Sequence, residues 1–275
     1  MGADRLVAIL EATRERVAAL RPRMRELERQ AAEAPEPRPF ERIVAARHVG
    51  VIAEVKRRSP STGAIREDLD PVEHAQAYAQ GGAVAISVLT DERHFGGSLA
   101  DLARVASAVT VPVLRKDFIL DELQLYEARA AGASAILLIA RALTPARVRA
   151  LSLAARSQGL GVVVEVHTEA ELGAALAAEP TVVGVNSRDL ATFAVDLAQA
   201  ERLVGRVPAD VPVVAESGIT NRADVERMAA AGADLVLVGT SVARTAAPAA
   251  AVRALVGVAR HGRRDVEKPM GEGTQ

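Results

Sequence analysis

The run AAGASAIL at residues 130–137 returns as AAGADLVL at 230–237 and as QGGAVAIS at 80–87, and TVVGV at 181–185 fills the remaining slot. VPVL at 111–114 and VPVV at 211–214 repeat in the same way, with GVVV at 161–164 midway. Starts at 80, 130 and 230 fit a period of 50 residues, two strand–helix units of about 25 residues each. The glycine just before each apolar run suits a left-handed stop at the end of a preceding helix.

Working outward, short apolar, β-branched runs occur at 49–55, 83–89, 111–114, 135–139, 161–166, 182–186, 211–215 and 235–238. Each is followed by a helix-like segment rich in Ala, Leu, Arg and Glu. Continuous apolar runs joined by helices predict parallel strands buried on both faces. Eight such units predict an α/β fold, a (β/α)8 TIM barrel, for which about 250 residues is typical. The rival is an open doubly wound sheet. It expects a GxGxxG turn after the first strand, which is absent, and even spacing favours closure.

Residues 4–30 read as helical, with Leu6, Leu10, Val17, Leu20, Met24 and Leu27 at spacings of three, four or seven. That spacing fits a coiled-coil seam or, as the favoured reading, an amphipathic helix lying on the domain. Pro22 should break or kink it. APEPRP at 34–39 is a stiff connector, and the last fifteen residues are polar. The expected division is an N-terminal helical extension with its connector at 1–40, the barrel at 41–260, and a frayed tail at 261–275.

The 275-residue chain is long enough for a large buried core. Its net charge of −1 creates no field for nucleic acid or an anionic membrane. It has no cysteine, which excludes disulfides, thiolate metal sites and cysteine nucleophiles. The N-terminus mixes charges with apolar residues and lacks a signal-peptide core. No stretch approaches the ~20 apolar residues of a membrane span. A cytoplasmic protein is expected, monomeric, with the helix at 4–30 leaving room for a dimer.

Active sites of such barrels lie at the C-terminal ends of the strands. Glu54, Lys56, Lys116, Glu165 and Glu216 sit inside, or at the tips of, strands otherwise made of Val, Ile, Leu and Ala. A lone buried charge is expensive, so these must pair or meet a charged ligand. Ion pairs locking the barrel mouth would explain one Glu–Lys couple. Five charges converging on one rim point instead to acid–base chemistry in a partly desolvated cleft.

Ser217-Gly218 after the seventh strand and Gly239-Thr240 after the eighth are small residues with free backbone amides. Turn chemistry alone would explain them, but barrels often bind phosphate at this place. With no Trp and four Phe in the chain, Phe95 and Phe118 in the loops after strands two and three suggest an apolar slot for a flat ligand. Phe193 reads as loop packing. The five histidines lack metal-ligand spacing. Ser59, Ser61 and Ser217 lack a His partner. His167 follows Glu165 by two and is kept only as a supporting group.

These strand ends together resemble the indole-3-glycerol-phosphate synthase family over roughly residues 40–258. The pieces that carry the resemblance are AEVKRRSPSTG (53–63), SVLTDERHFGGS (87–98), VLRKDFILDELQLYEARAAGASAILLI (113–139), VEVHTEAEL (164–172), GVNSRDLATFAVDL (184–197) and AESGI (215–219). The resemblance implies a carboxy-lyase of tryptophan biosynthesis. Such an enzyme closes, decarboxylates and dehydrates a carboxyphenylamino-deoxyribulose phosphate without cofactor or metal. It implies Lys116 as general acid at the ketone and Glu165 as the second acid–base group, without settling which serves which step. Glu54 and Asn186 would position substrate and catalytic groups, and Lys56 would meet the substrate's anionic groups. Ser59, Phe95, Phe118, Leu137, Arg188, Leu190 and Glu216 would line the pocket. Ser217, Gly218, Gly239 and Thr240 would cradle the phosphate.

Departures are modest. Thr240 follows Gly239 at a position that varies in the family, and Val242-Ala243 stand where a methionine is often found. The N-terminal extension matches weakly. Two other readings are weighed. Phosphoribosylanthranilate isomerase shares the fold but should use a cysteine. A non-catalytic sugar-phosphate-binding barrel should have lost Lys116, Glu165 or Asn186.

Overall fold

In a computed structural model, which describes residues 2–44, 47–60, 63–189, 192 and 194–262, the eight apolar runs become eight parallel strands. They are β1 (Gly50–Val55), β2 (Ala85–Leu89), β3 (Val113–Lys116), β4 (Ala135–Ile139), β5 (Gly161–Val166), β6 (Val182–Asn186), β7 (Val213–Glu216) and β8 (Leu235–Val238). Each pairs with its sequence neighbour, and β1 also pairs with β8, Ala53 opposite Val238, which closes the barrel. A helix follows every strand, from Pro71–Gly81 after β1 to Pro248–Arg253 after β8.

Alternation along each strand decides what the barrel encloses. Ile52, Ala85, Leu114, Ala135, Leu137, Val163, Val182, Val214, Leu235 and Leu237 belong to one buried cluster, the barrel interior. Their neighbours in sequence, such as Val51, Ile86, Val113, Ile136, Val164 and Val236, belong to a second cluster shared with the outer helices. Continuing the inward register by two residues leads from Ile52 to Glu54, from Leu114 to Lys116, from Val163 to Glu165 and from Val214 to Glu216. The interior is therefore hydrocarbon below and charged at the C-terminal end. Phe40 plugs the opposite end, 1% exposed, in space left by Gly161, where a Cβ would meet the Phe40 side chain at 2.7 Å.

The hundred-residue repeat has a hydrogen-bonding cause. Ser134 Oγ accepts the amide of Val113 at 3.1 Å, and Asp234 Oδ2 accepts the amide of Val213 at 2.8 Å. Each polar residue, just before β4 or β8, thus satisfies the first amide of the preceding strand, beside Pro112 or Pro212. Gly82, Gly132 and Gly232, with φ of 101°, 81° and 98°, make the left-handed turn into each strand.

β3 and β7 begin and end later than the apolar runs at 111–114 and 211–215 suggest. Each proline stands just ahead of its strand, where it lends only its carbonyl, to Ile86 and Val183 respectively. The strands then run on through Lys116 and Glu216, because alternation aims these charges inward rather than into the helix layer.

At the N-terminus, the helix Gly2–Leu20 and the helix Met24–Glu33 are separated by a 3-10 turn at Arg21–Arg23 that contains Pro22. Ile9, Leu10 and Val17 are buried on the first helix and Leu27 and Ala31 on the second. Met24 is 46% exposed although the heptad spacing placed it on the seam. The proline break changes the phase of the helix, so one stripe does not continue through it. No helix among the described residues is long and apolar enough to cross a membrane.

Candidate active site

One cavity opens at the C-terminal end of the barrel. Its wall holds Glu54, Ser59, Phe95, Lys116, Phe118 and Leu137 from the first four strands and the loops after them. Glu165, Asn186, Arg188, Glu216, Ser217 and Gly239 complete it from the other four. Lys56, Gly218 and Thr240 are not part of that wall, although they lie within two residues of Glu54, Ser217 and Gly239 in the chain. Leu190, like Phe193, Ser61 and the tail from 263, lies outside the described residues.

The centre of the site is Lys116. Its Nζ lies 2.9 Å from Glu165 Oε2 and 3.2 Å from Glu216 Oε2, with both carboxylates almost fully buried. Burial opposes the charge on Lys116, but the carboxylates of Glu165, Glu216 and Glu54 outweigh it, so its pKa is raised and it stays an ammonium. Burial likewise opposes the charge on Glu165. The Lys116 ammonium outweighs it, helped by His167 and by a hydrogen bond from Asn186, and Glu165 is held down at about 2. One ammonium cannot hold two carboxylates equally. Burial, together with the Glu165 charge, pushes Glu216 up to about 7 against the pull of Lys116. One lysine and two like carboxylates thus become an ammonium, a carboxylate held ionised and a carboxyl that titrates near neutrality.

A second pair lies beside the first. Lys56 Nζ is 2.8 Å from Glu54 Oε1, and Ser87 Oγ donates to Glu54 Oε2 at 3.4 Å. Both ends pack over Gly239, where a Cβ would come within 2.6 Å of Glu54 Oε1 and 2.9 Å of Lys56 Nζ. Asn186 Oδ1 accepts the Arg188 amide at 3.0 Å, which folds the loop after β6 back toward the cavity. Burial pushes the Arg188 guanidinium down, against the attraction of Glu54.

At the end of β7, Ser217 and Gly218 both adopt left-handed backbone, φ 67° and 74°. Backbone amides presented by a tight turn can form a concavity suited to an anion. Ser187 Oγ holds this strained turn by sharing its one hydrogen between the carbonyls of Glu216 at 3.1 Å and Ser217 at 3.0 Å. Ser241 Oγ ties the loop after β8 to it by donating to the Ile219 carbonyl at 3.2 Å.

Phe95 and Phe118 face each other with ring centroids 6.4 Å apart. Leu137, Ile139 and Leu237 continue this apolar wall. Ile9 and Leu10 of the first N-terminal helix share the same buried cluster, so the extension packs against the ring slot. Sequence reasoning did not single out Asp91 or Asp117, which also border the cavity. Asp91 caps the short helix Glu92–Phe95 by accepting the His94 amide at 2.6 Å. Asp117 accepts from Thr90, Arg115, Arg16 and the Phe118 amide. The available signal was their place in the polar turn that ends β2 or β3. Their work is to shape that turn.

The model of the family described as indole-3-glycerol phosphate synthase matches residues 6–255. The chain belongs to the indole-3-glycerol phosphate synthase family. It is 46% identical over 252 residues to indole-3-glycerol phosphate synthase 2 of Streptomyces coelicolor, covering 92% of this chain and 97% of that one. The synthase of Mycobacterium avium is 46% identical over 258 residues, 93% of this chain and 95% of that one. The synthase of Desulfosudis oleivorans is 46% identical over 248 residues, 88% and 94% of the two chains. These family members are named for a carboxy-lyase step of tryptophan biosynthesis, and this chain is an enzyme of that family. Among solved structures, thiamine phosphate pyrophosphorylase from Pyrococcus furiosus is similar with a TM-score of 0.56 at 18% identity, over 75% of this chain and 93% of that one, a likeness of fold alone.

Proposed function

We propose that this cavity takes 1-(2-carboxyphenylamino)-1-deoxyribulose 5-phosphate and closes its indole ring. Carbon dioxide and water leave, and indole-3-glycerol phosphate remains. The observation that carries this reading is the meeting of a protonated Lys116 and an ionised Glu165 at 2.9 Å beside an apolar, two-phenylalanine slot.

The aromatic carbon that bears the carboxylate attacks the sugar ketone, pushed by the anilino nitrogen. Lys116 gives its proton to the ketone oxygen as negative charge develops there, which is acid catalysis and electrostatic stabilisation together. Carbon dioxide leaves, and its bonding pair restores the aromatic ring. Solvent reprotonates Lys116, the new hydroxyl departs as water with that second proton, and Glu165 takes the proton from the adjacent carbon to complete the indole. A base held near pKa 2 is weak in isolation, so the reaction relies on an activated, cationic intermediate as proton donor to it.

Phe95, Phe118 and Leu137 would hold the ring by burial. The amides of Ser217, Gly218, Gly239 and Thr240 would hold the phosphate. Lys56 would face the substrate carboxylate, with Glu54 and Asn186 fixing Lys56 and Glu165. Ser59, Arg188 and Glu216 would complete the lining. No step as written needs a cofactor or metal. On the same reading, residues 1–40 are a helical extension of a barrel spanning 41–260, with 261–275 a tail. The enzyme acts in the cytoplasm as a monomer, which light scattering tests directly.

The test is to dialyse the purified protein against a chelator, add the substrate, and follow indole-glycerol phosphate by its fluorescence. Product formation is expected. Tight binding without turnover would favour a sugar-phosphate-binding barrel. Consumption of phosphoribosylanthranilate instead would favour the isomerase.

A further inference from the structure

His167 is a buried titratable side chain directly behind Glu165 that the reaction above does not use. It follows β5 directly, is 4% exposed, and neither ring nitrogen makes a hydrogen bond. A buried imidazole without hydrogen bonds is costly, so its retention calls for a cause.

The ring stands between two carboxylates. Nε2 lies 3.4 Å from Glu165 Oε1, the oxygen that does not meet Lys116, and Nδ1 lies 3.7 Å from Glu171 Oε2. Three elements fix it there. The His167 amide donates to Glu171 Oε2 at 2.7 Å, from the helix Glu169–Ala177. Its carbonyl accepts Gln199 Nε2 at 2.9 Å, from the helix Leu197–Val204. Glu171 in turn is held by Arg141, whose Nε lies 3.1 Å from Glu171 Oε1 and whose Nη1 lies 3.4 Å from Asp189 in the loop after β6.

We propose that His167 is a positioning residue for the base: seated on Glu171, its ring holds Glu165 Oε1 from behind, so that Oε2 stays on Lys116 and the carboxylate stays ionised. This rests on the function proposed above. The order of groups from cavity to surface, Lys116, Glu165, His167, Glu171, Arg141 and Asp189, sets each carboxylate between nitrogen donors. A ring N–H 3.4 Å from a carboxylate oxygen favours its anion even where the two are not aligned as a hydrogen bond. His167 acts on Glu165 in that direction, alongside Lys116 and Asn186 and against burial. Burial opposes the ionised form of Glu171, yet the His167 ring and amide, with Arg141, hold it down at about 2. The ring's seat is therefore a carboxylate at any working pH. Groups behind a reacting side chain set its orientation, and a small displacement there reduces turnover more than binding.

The experiment compares His167→Leu, His167→Gln and Glu171→Gln with the wild type, measuring kcat and KM across pH and thermal unfolding for each. His167→Leu should lower kcat by about tenfold with little change in KM. In a Glu216→Gln background, which removes the titration near pH 7, the acid limb of its kcat profile should move toward higher pH by roughly one unit. His167→Gln, which still offers an N–H to Glu165, should recover most of kcat. Glu171→Gln should lie between them, and it carries the same test if the leucine variant does not fold. Equal losses in the Leu and Gln variants with an unmoved acid limb would overturn the proposal, as would unchanged kcat in all three. A wild type that makes no product at all would instead overturn the function on which the proposal rests.

Discussion

Arg16 and Asp117 join across 101 residues of chain, Arg16 Nη2 donating to Asp117 Oδ1 at 2.8 Å. Arg16 lies on the first N-terminal helix, and Asp117 is the fully buried residue between Lys116 and Phe118. Burial opposes the Asp117 charge, but Arg115 and Arg16 outweigh it and hold the carboxyl below its ordinary value. The same carboxylate accepts Thr90 Oγ1 at 2.7 Å and the Phe118 amide at 2.8 Å. The extension is thus bonded to the turn that presents both the central lysine and one ring of the slot.

Arg16→Ala should lower stability by only about 1 kcal/mol, since the arginine is half-exposed and Arg115 still pairs with Asp117. Its larger effect should be on substrate: KM rises several-fold while kcat changes less, because the ring slot loosens and the lysine does not move. Urea unfolding at unchanged slope, beside steady-state kinetics, checks both.

Glu216 sets the pH dependence. In the folded chain it keeps a proton up to about pH 7, against 4.5 for an ordinary glutamate. Between those values the folded state binds more protons than the unfolded state, so this residue makes stability fall as pH rises through that window. Glu216→Gln should therefore gain stability relative to wild type on going from pH 5 to pH 8. The profile of kcat/KM should bend near pH 7 in the wild type and lose that bend in the variant. An unchanged bend in Glu216→Gln would assign it to another group.

Two glycines should behave oppositely. At Gly239, φ is −119° and an added Cβ would meet only the far ends of Glu54 and Lys56. Gly239→Ala should fold with near-normal thermal stability but lose at least about tenfold in kcat/KM, because the Glu54–Lys56 pair is displaced. At Gly97 an added Cβ would overlap the backbone carbonyl of Leu89. Gly97→Ala should cost about 2–4 kcal/mol and show chiefly as poor folding. Thermal unfolding with kinetics on both variants separates the two outcomes.

Much of the fold was legible because the repeat encodes geometry. Gly132 and Gly232 supply the left-handed turn, and Ser134 and Asp234 satisfy the amides of Val113 and Val213. The charges at Glu54, Lys116, Glu165 and Glu216 were legible because each interrupts an apolar strand. Which of them pair was not, since Lys116 meets Glu165 49 residues away and Glu216 from another strand again. Asp117 stood inside a quoted motif, but its role needed Arg16 brought from the far end of the chain. Met24 left the seam because a helical period cannot anticipate the phase change at Pro22.

The most direct test of the account is single-turnover chemistry against substrate binding in Lys116→Ala, with Glu165→Gln as companion. The account predicts that both variants fold and still bind the carboxyphenylamino-deoxyribulose phosphate, because the amides proposed to hold the phosphate follow β7 and β8 while Lys116 ends β3. The rate of indole-glycerol phosphate formation should fall by at least about a thousandfold in Lys116→Ala. Turnover near the wild-type rate in Lys116→Ala, or binding lost in proportion to activity, would contradict it.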